Sequence, residues 1–156
     1  LDALAFEGGQ LTAEASQDLD LEAWVPALGP TLGPRVHVEV EPLRAHLPPR
    51  SLALVLRGLV KNAREAAGPE EVIQLRVGRD GSGGWAFKVI DLGPGFPAAL
   101  LPRAGEAFLS TKGEEGLGLG LFLARGWVER LGGRLGIESR PGLTQVGLHL
   151  PWGLLR

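Results

Sequence analysis

Residues 116–133 read GLGLGLFLARGWVERLGG and begin with glycines at alternate positions, Gly116, Gly118 and Gly120. Because glycine carries no Cβ, the backbone here can approach a ligand closely. Residues 119–131 have helical periodicity, and two glycines end the stretch. The N–H groups and the dipole at a helix N-terminus favour an anion. The pattern therefore predicts either a phosphate site or a flexible loop before a helix.

Polar side chains precede the glycines and favour phosphate binding. Ser110, Thr111 and Lys112 would supply two hydroxyls and a cation. The stretch is not a Walker A loop, because no Gly-Lys-Ser/Thr follows the glycines. A dinucleotide-binding Rossmann fold needs a strand directly before its glycines, whereas Gly116 belongs to a loop-like segment, residues 92–118, rich in glycine and proline. Both alternatives are therefore disfavoured.

The rest of the chain is predicted to mix helices and strands without strict alternation. Capping residues, periodicity and turn residues indicate the tail of a helix over residues 1–10, helices over 21–25 and 51–67, and strands over 35–41, 72–77, 85–91, 134–139 and 145–150. Ser51 is the expected N-cap of the long helix. This order of elements favours a two-layer α/β sandwich over a doubly wound parallel sheet.

Two further positions carry side chains suited to binding. Asn62 lies inside the long helix with Glu65 three residues later, and an amide oxygen can be one ligand of an octahedral Mg²⁺ completed by phosphate and water. Asp91 ends a strand and is followed by Gly93 and Gly95. Its carboxylate can accept a hydrogen bond from an exocyclic amine, and the glycines leave room for a flat ring. Taken alone, each motif also fits a simpler interpretation, a surface Asn or an Asp-Gly turn.

Composition limits the classes of function. The chain has 156 residues and a net charge of −2, which describes one ordinary domain with no general attraction to nucleic acid or to an anionic membrane. It has no cysteine, so a disulfide framework and a thiolate metal site are excluded. No apolar run reaches the roughly 18 residues that cross a bilayer. Because the chain begins at Leu1, we expect it to be part of a longer protein.

Four segments, in this order and spacing, resemble the boxes of the catalytic domain of sensor histidine kinases, in the GHKL or Bergerat-fold ATPase superfamily. The segments are Asn62 for the N box, Asp91-x-Gly-x-Gly95 for the G1 box, Phe108 with Ser110-Thr111-Lys112 for the F box, and Gly116-x-Gly118-Leu-Gly120-Leu for the G2 box. Residues 133–139, Thr144 and Leu150-Pro151 resemble the family's closing hairpin, so the resemblance covers residues 19–153.

The resemblance implies an α+β fold. This is a two-layer α/β sandwich, the Bergerat fold, in which a mixed, mostly antiparallel sheet packs against about three helices. It places the catalytic ATP-binding domain at residues 17–153. Residues 1–10 are then the remnant of a preceding dimerization helix.

The resemblance also implies the ligands and the role of each residue. ATP and Mg²⁺ would be bound, with Asp91 at the adenine amine, Gly95 against the ring and Asn62 on the metal. Glu65 would lie close to Asn62, and residues 93–118 would form a mobile lid. The implied ATP-binding residues are Asn62, Asp91, Gly93, Gly95, Phe96, Phe108, Ser110, Thr111, Lys112, Gly116, Leu117, Gly118, Leu119 and Gly120. The residues implied in catalysis are Asn62, Glu65 and Lys112, and the implied metal ligand is Asn62.

For function, the resemblance implies a protein histidine kinase. This is an ATP-dependent phosphotransferase that moves the γ-phosphoryl group to a histidine on dimerization helices, for relay to a response-regulator receiver domain. The acceptor is expected upstream, because His37, His46 and His149 match no acceptor pattern and are interpreted as structural. The parent protein is expected to be a homodimer and this fragment a monomer, without a nucleic-acid partner. The domain is expected in the cytoplasm, and anchoring of the parent in the inner membrane stays open.

Two positions depart from the family pattern. The residue four before Asn62 is commonly polar in the family and is Gly58 here, and the bulky residue after the N box is replaced by Ala66. Gly58 puts metal binding in doubt more than nucleotide binding, so the alternative function is a regulatory nucleotide-binding module with weak or no transfer. Gyrase-, mismatch-repair- and Hsp90-type ATPases usually carry Glu in place of Gly58, and anti-sigma serine kinases lack the upstream helix. Both groups are therefore disfavoured.

Overall fold

The computed structural model describes residues 14–81, 83–93 and 117–156, together with the backbone of two short strands nearer the N-terminus; for residues 117–119 it describes the backbone alone. In chain order the elements are β1 (Phe6–Glu7), β2 (Gln10–Leu11), β3 (Gln17–Asp20), α1 (Leu21–Trp24), α2 (Gly29–Leu32), β4 (Val36–Val40), β5 (Arg44–Leu47), α3 (Pro49–Ala67), β6 (Ile73–Asp80), β7 (Gly84–Asp91), α4 (Leu117–Arg130), β8 (Arg134–Arg140) and β9 (Leu143–Leu150).

Five strands form the main sheet, in the order β4-β6-β7-β9-β8. Strand β4 runs parallel to β6, and the other neighbours are antiparallel. A separate small sheet pairs β3 with β5. The predicted fold class is therefore confirmed: the chain is α+β, with a mixed, mostly antiparallel sheet packed against helices.

Strand β7 lies in the middle of the sheet and shows how the layers pack. Trp85, Phe87 and Val89 alternate along it and are buried in the core with Leu56 of α3. Burying a side chain of this size stabilises the fold by roughly 1.5–3 kcal/mol. The indole N–H of Trp85 also donates to the carbonyl of Pro151 at 3.0 Å, so its polar end is satisfied. The alternation in the sequence thus directs one face of the sheet onto the helices.

Helices α3 and α4 lie side by side and run in opposite directions. Ser51 near the start of α3 contacts Trp127 near the end of α4. At the other end of the pair, Asn62 contacts Gly120 in the first turn of α4. Neither helix, nor any other in the part of the chain that the structure describes, is long and apolar enough to cross a membrane.

Apart from shifts of one to three residues at the ends of other elements, three predictions about helices differ from the structure. Helix α3 begins at Pro49, with Pro48 and not Ser51 as its N-cap, because the fixed φ of proline suits the first helical turn. Helix α4 begins inside the predicted loop over residues 92–118. The helix predicted over residues 1–10 is wrong where that segment is described, because β1 and β2 pair antiparallel there. Two glycines separate these strands in the sequence and favour a hairpin.

Strands β3 and β5 are not predicted by the sequence. Each has four residues, and the two pair with Asp18 opposite His46. Leu19, Ala45 and Leu47 are buried on them. So few apolar residues give no usable periodicity, and the strands form because their pairing buries these apolar side chains in the core.

Candidate functional site

Buried polar side chains locate the site. Within the described residues these are Ser51, Asn62, Asp91 and Thr144. Burying a polar group is costly unless it finds a partner, so a concentration of them marks a functional position. Asn62, Asp91 and Thr144 line one cavity of about 40 Å³. Its other walls are apolar and consist of Leu59, Ala63, Ala66, Val89, Leu121 and Val146.

Asp91 is fixed at the end of β7 by the turn that follows it. Its side chain is buried, and Oδ1 accepts a hydrogen bond from the backbone N–H of Gly93 at 2.8 Å. A Cβ on Gly93 would lie 3.0 Å from the carbonyl oxygen of Ala66 and 3.1 Å from Cα of Ala67. The first glycine of this motif is therefore required by the close approach of the turn to the end of α3.

Asn62 is directed at the first turn of α4. It is 8% exposed, and its Nδ2 has no hydrogen-bond partner among the described residues. A Cβ on Gly120 would lie 2.5 Å from this Nδ2, so any side chain at position 120 would force the Asn62 amide to move. A buried donor without a partner is rare and costs about 1–3 kcal/mol. Its presence at a cavity indicates a position that a ligand completes.

Thr144 is a cavity residue that the sequence assigned only to the closing hairpin. It lies on β9 directly opposite Asp91 on β7. Its hydroxyl is 3.2 Å from that of Ser139 on β8. One signal could have found it, because Thr144 is a polar residue on the face of β9 that otherwise buries Leu148 and Leu150.

The structure brings several predicted site residues together. Asn62, Asp91, Gly93 and Gly120 meet where the ends of β7 and α3 approach α4. The first turn of α4 contains the backbone of Leu117, Gly118 and Leu119. The predicted residues that lie outside the described part of the chain are Gly95, Phe96, Phe108, Ser110, Thr111, Lys112 and Gly116.

The residues around Asn62 on α3 differ in their surroundings. Glu65 is exposed and does not line the cavity, whereas Ala66 does. Gly58 lies one turn before Asn62, and a Cβ there would meet no atom within 4 Å. A side chain would therefore fit at Gly58, and the glycine is not imposed by packing.

A metal could be held here only with help from a ligand. No group of three or more His, Asp or Glu side chains comes together in the described ranges. Asn62 offers a single carboxamide, which suits Mg²⁺ only when phosphate oxygens and water supply the remaining ligands. The residues present therefore fit a metal that arrives with a nucleotide.

Larger troughs lie on the open face of the sheet, but their chemistry is that of a solvated surface. Two of them measure about 400 and 450 Å³ and share Lys88 and Gln145. Charged side chains along them form exposed ion pairs, such as Arg76 with Glu39 at 3.2 Å. Exposed ion pairs of this kind contribute little to the stability of the fold. We assign the functional site to the smaller cavity because of its buried polar groups.

The three histidines each lie beside a carboxylate and away from the cavity. The pairs are His46 with Asp18 at 2.6 Å, His149 with Asp80 at 3.0 Å and His37 with Glu39 at 3.4 Å. The hydrogen bond from His46 is the main reason that the pKa of the Asp18 carboxyl is lowered, and Arg156 and Arg44 add attraction.

A buried carboxylate at a strand end, a buried amide on one helix and a glycine in the first turn of the next define a nucleotide-binding ATPase domain of the α+β class. Residues 48–153 match the family described as histidine kinase-, DNA gyrase B- and HSP90-like ATPase, and the chain belongs to this family. The resemblance found in the sequence is thereby confirmed.

Relatives and solved structures agree with this assignment. Sensor histidine kinase DcuS of Escherichia coli K12 is 38% identical over 104 residues, 65% of this chain and 19% of DcuS. Sensory histidine kinase/phosphatase NtrB of Rhodobacter capsulatus is 34% identical over 145 residues, 85% of this chain and 37% of NtrB. The chain thus spans between about a fifth and two fifths of these relatives.

Two solved structures share the fold. The solved chain of the mycobacterial sensor histidine kinase MprB has a TM-score of 0.71 at 23% identity, over 87% of this chain and 97% of that solved chain. Full-length ShkA in complex with AMPPNP has a TM-score of 0.70 at 20% identity, over 89% of this chain and 32% of ShkA. The chain is an ATPase-type catalytic domain of the kind found in sensor histidine kinases.

Proposed function

We propose that this domain binds ATP with Mg²⁺ and transfers the γ-phosphoryl group to a histidine on the dimerization helices of its own protein, for relay to a response-regulator receiver domain. The observation that carries the proposal is the cavity in which Asp91, Thr144 and Asn62 are buried beside the first turn of α4. The names of DcuS and NtrB, both sensory kinases, support it.

The base would be recognised at the end of β7. The carboxylate of Asp91 is the acceptor that an exocyclic amine requires. Glycine at position 93 places no side chain against this carboxylate, since a Cβ there would lie 2.9 Å from Oδ1 of Asp91. Thr144, opposite Asp91, adds a hydroxyl that can donate or accept. The apolar walls of the cavity suit the face of a flat ring, and a cavity of about 40 Å³ would have to widen to take one. This arrangement selects a base that presents a donor to Asp91.

The phosphates would lie between Asn62 and the N-terminus of α4. That terminus presents backbone N–H groups to an anion, and Asn62 would be the protein ligand of Mg²⁺. The metal supplies charge neutralisation on the phosphates. Lys112 and Glu65 would assist the transfer. The other residues predicted from the sequence to contact the nucleotide remain part of the proposal: Gly95, Phe96, Phe108, Ser110, Thr111, Lys112, Gly116, Leu117, Gly118, Leu119 and Gly120.

The proposal extends to the parent protein. Residues 17–153 would be the catalytic domain, and residues 1–10 would lead from the dimerization helices. The parent would be a homodimer with this domain in the cytoplasm, and the isolated piece a monomer. Phosphoryl transfer depends mainly on positioning and charge neutralisation, so delivery to the acceptor histidine requires those helices.

The test joins this domain to its parent's dimerization helices and follows labelled phosphate from ATP. A phosphohistidine is expected on the helices, and Asp91→Asn should lower the labelling at sub-saturating ATP, because it weakens nucleotide binding at least about tenfold. Absence of a phosphohistidine at saturating ATP would contradict the transfer function.

Gly58 motivates a second candidate function. If the missing polar side chain weakens metal binding, the domain would hold nucleotide and regulate a partner without efficient transfer. Titration with AMPPNP, with and without Mg²⁺, separates the two candidates. Micromolar affinity together with efficient transfer rejects the regulatory module, whereas metal-independent binding without transfer supports it.

A further inference from the structure

Helix α3 is capped by a residue that is distant in the sequence. Its N-cap, Pro48, makes no side-chain hydrogen bond, so the first N–H groups of the helix need another acceptor. The carboxylate of Glu14 fills this role: Oε2 accepts from the N–H of Arg50 at 2.9 Å, and Oε1 accepts from that of Ser51 at 2.8 Å. A negative charge at a helix N-terminus is also favourable for the helix dipole.

Ser51 connects this cap to α4. Its hydroxyl accepts a hydrogen bond from the indole Nε1–H of Trp127 at 2.8 Å and donates to the carbonyl of Pro48 at 3.3 Å. Ser51 is 3% exposed and Trp127 is 4% exposed. Water therefore does not compete for these bonds, which are stronger in a low-dielectric interior.

The capped end and the nucleotide end belong to the same antiparallel helix pair. About 16 Å of helix separates Ser51 from Asn62 on α3, and about 10 Å separates Trp127 from Gly120 on α4. At the nucleotide end, a Cβ on Gly120 would already be 2.5 Å from Nδ2 of Asn62. A shift of α3 against α4 at Ser51 would be transmitted to this contact, because close-packed interiors transmit strain.

We propose that Glu14 is a positioning residue for the nucleotide. Its carboxylate fixes the start of α3 against α4, so the nucleotide binds more tightly when the cap is formed. Coupling of this kind is reciprocal, so the bound nucleotide strengthens the cap by the same factor. The inference rests on the proposed function, because the nucleotide must occupy the cavity of Asn62 and Asp91. Through the Glu14 cap, the segment before Glu14 could change the affinity of the site for nucleotide.

The first test compares Glu14→Gln with Glu22→Gln in the chain of residues 1–156. Glu22 is an exposed carboxylate in the first turn of α1, away from the α3 cap. Glu14→Gln keeps the side chain's size but replaces one acceptor with a donor. Calorimetric titration with AMPPNP and Mg²⁺ should show about fivefold weaker binding for Glu14→Gln and wild-type binding for Glu22→Gln. Unchanged affinity in folded Glu14→Gln overturns the inference and leaves Glu14 a structural cap.

A second measurement needs only the wild-type chain, and it decides the question even if Glu14→Gln does not fold. AMPPNP should slow amide hydrogen exchange at Arg50 and Ser51 more than at Glu41, whose N–H donates to the carbonyl of Val77 at 2.9 Å on the far edge of the sheet. Equal slowing at these positions overturns the inference. Absence of AMPPNP binding contradicts the proposed function, whereas binding without this protection contradicts the inference alone.

Discussion

Gly120→Ala tests how closely α3 and α4 approach at the nucleotide end. The new Cβ would lie 2.5 Å from Nδ2 of Asn62 and 3.3 Å from its Cγ, so the amide or the helix must move. Overpacking of this kind costs about 1–3 kcal/mol of unfolding free energy. The better helix propensity of alanine offsets up to about 1 kcal/mol of that cost. The variant should therefore be less stable than wild type by up to about 2 kcal/mol.

Gly126→Ala is the matched control on the same helix. A Cβ at Gly126 would meet no atom within 4 Å, so the propensity gain comes without a clash. This variant should be about 1 kcal/mol more stable than wild type. The unfolding free energies of the two alanine variants should consequently differ by about 1–3 kcal/mol, which urea unfolding resolves.

Nucleotide affinity supplies the second readout for this pair. Gly120→Ala displaces Asn62 and should weaken AMPPNP binding at least about tenfold, which corresponds to about 1.4 kcal/mol. Gly126→Ala should bind as wild type does, because its side chain points away from the site. If the two alanine variants have equal stabilities and equal affinities, the close approach of the helices at Asn62 is refuted.

Gly58→Ala should raise the unfolding free energy by about 1 kcal/mol, since a Cβ there would meet no atom within 4 Å; a lower urea midpoint contradicts this. Trp127→Phe deletes the donor to Ser51 and also part of a buried ring, so thermal unfolding should show a loss of at least about 1 kcal/mol of unfolding free energy. An unchanged melting temperature would contradict a stabilising role for this hydrogen bond. The hydrogen bond from His46 is the main reason that the folded-state pKa of Asp18 is lowered. The ionised carboxylate therefore stabilises the fold above about pH 3.9, and this stabilisation is lost as the pH falls through the lowered pKa. Asp18→Asn should therefore be less stable than wild type near neutral pH and converge with it in strong acid; parallel stability curves over that range contradict the assignment.

The sheet and the two long helices can be predicted from the sequence because their signals are local. Alternation along β4 and β7 and the stop at Gly68 after α3 are visible within a few residues. The motifs at Asn62 and Asp91 are equally local, and both side chains do line the cavity. The resemblance carried by the four segments together pointed to these two residues, whereas each motif taken alone also fitted a simpler interpretation.

The features that could not be predicted depend on contacts between distant parts of the chain. Glu14 is one acidic residue between two alanines until the fold brings it to Ser51. Thr144 joins the cavity only through the register that places it opposite Asp91. The need for glycine at position 120 depends on how near α3 comes to α4. Of these contacts only that of Thr144 leaves a trace in the sequence, as a polar residue on the face of β9 that otherwise buries leucines.

The connectivity of the sheet also bears on when the cavity forms. Asp91 belongs to the β6–β7 hairpin and Thr144 to the β8–β9 hairpin. Each hairpin closes a short loop, whereas pairing β7 with β9 closes a long one and is slower. The cavity therefore requires the two hairpins to dock, and we expect this step to come late in folding. The proposed nucleotide would have no binding site before that step, so we expect it to slow unfolding and to leave the folding rate unchanged.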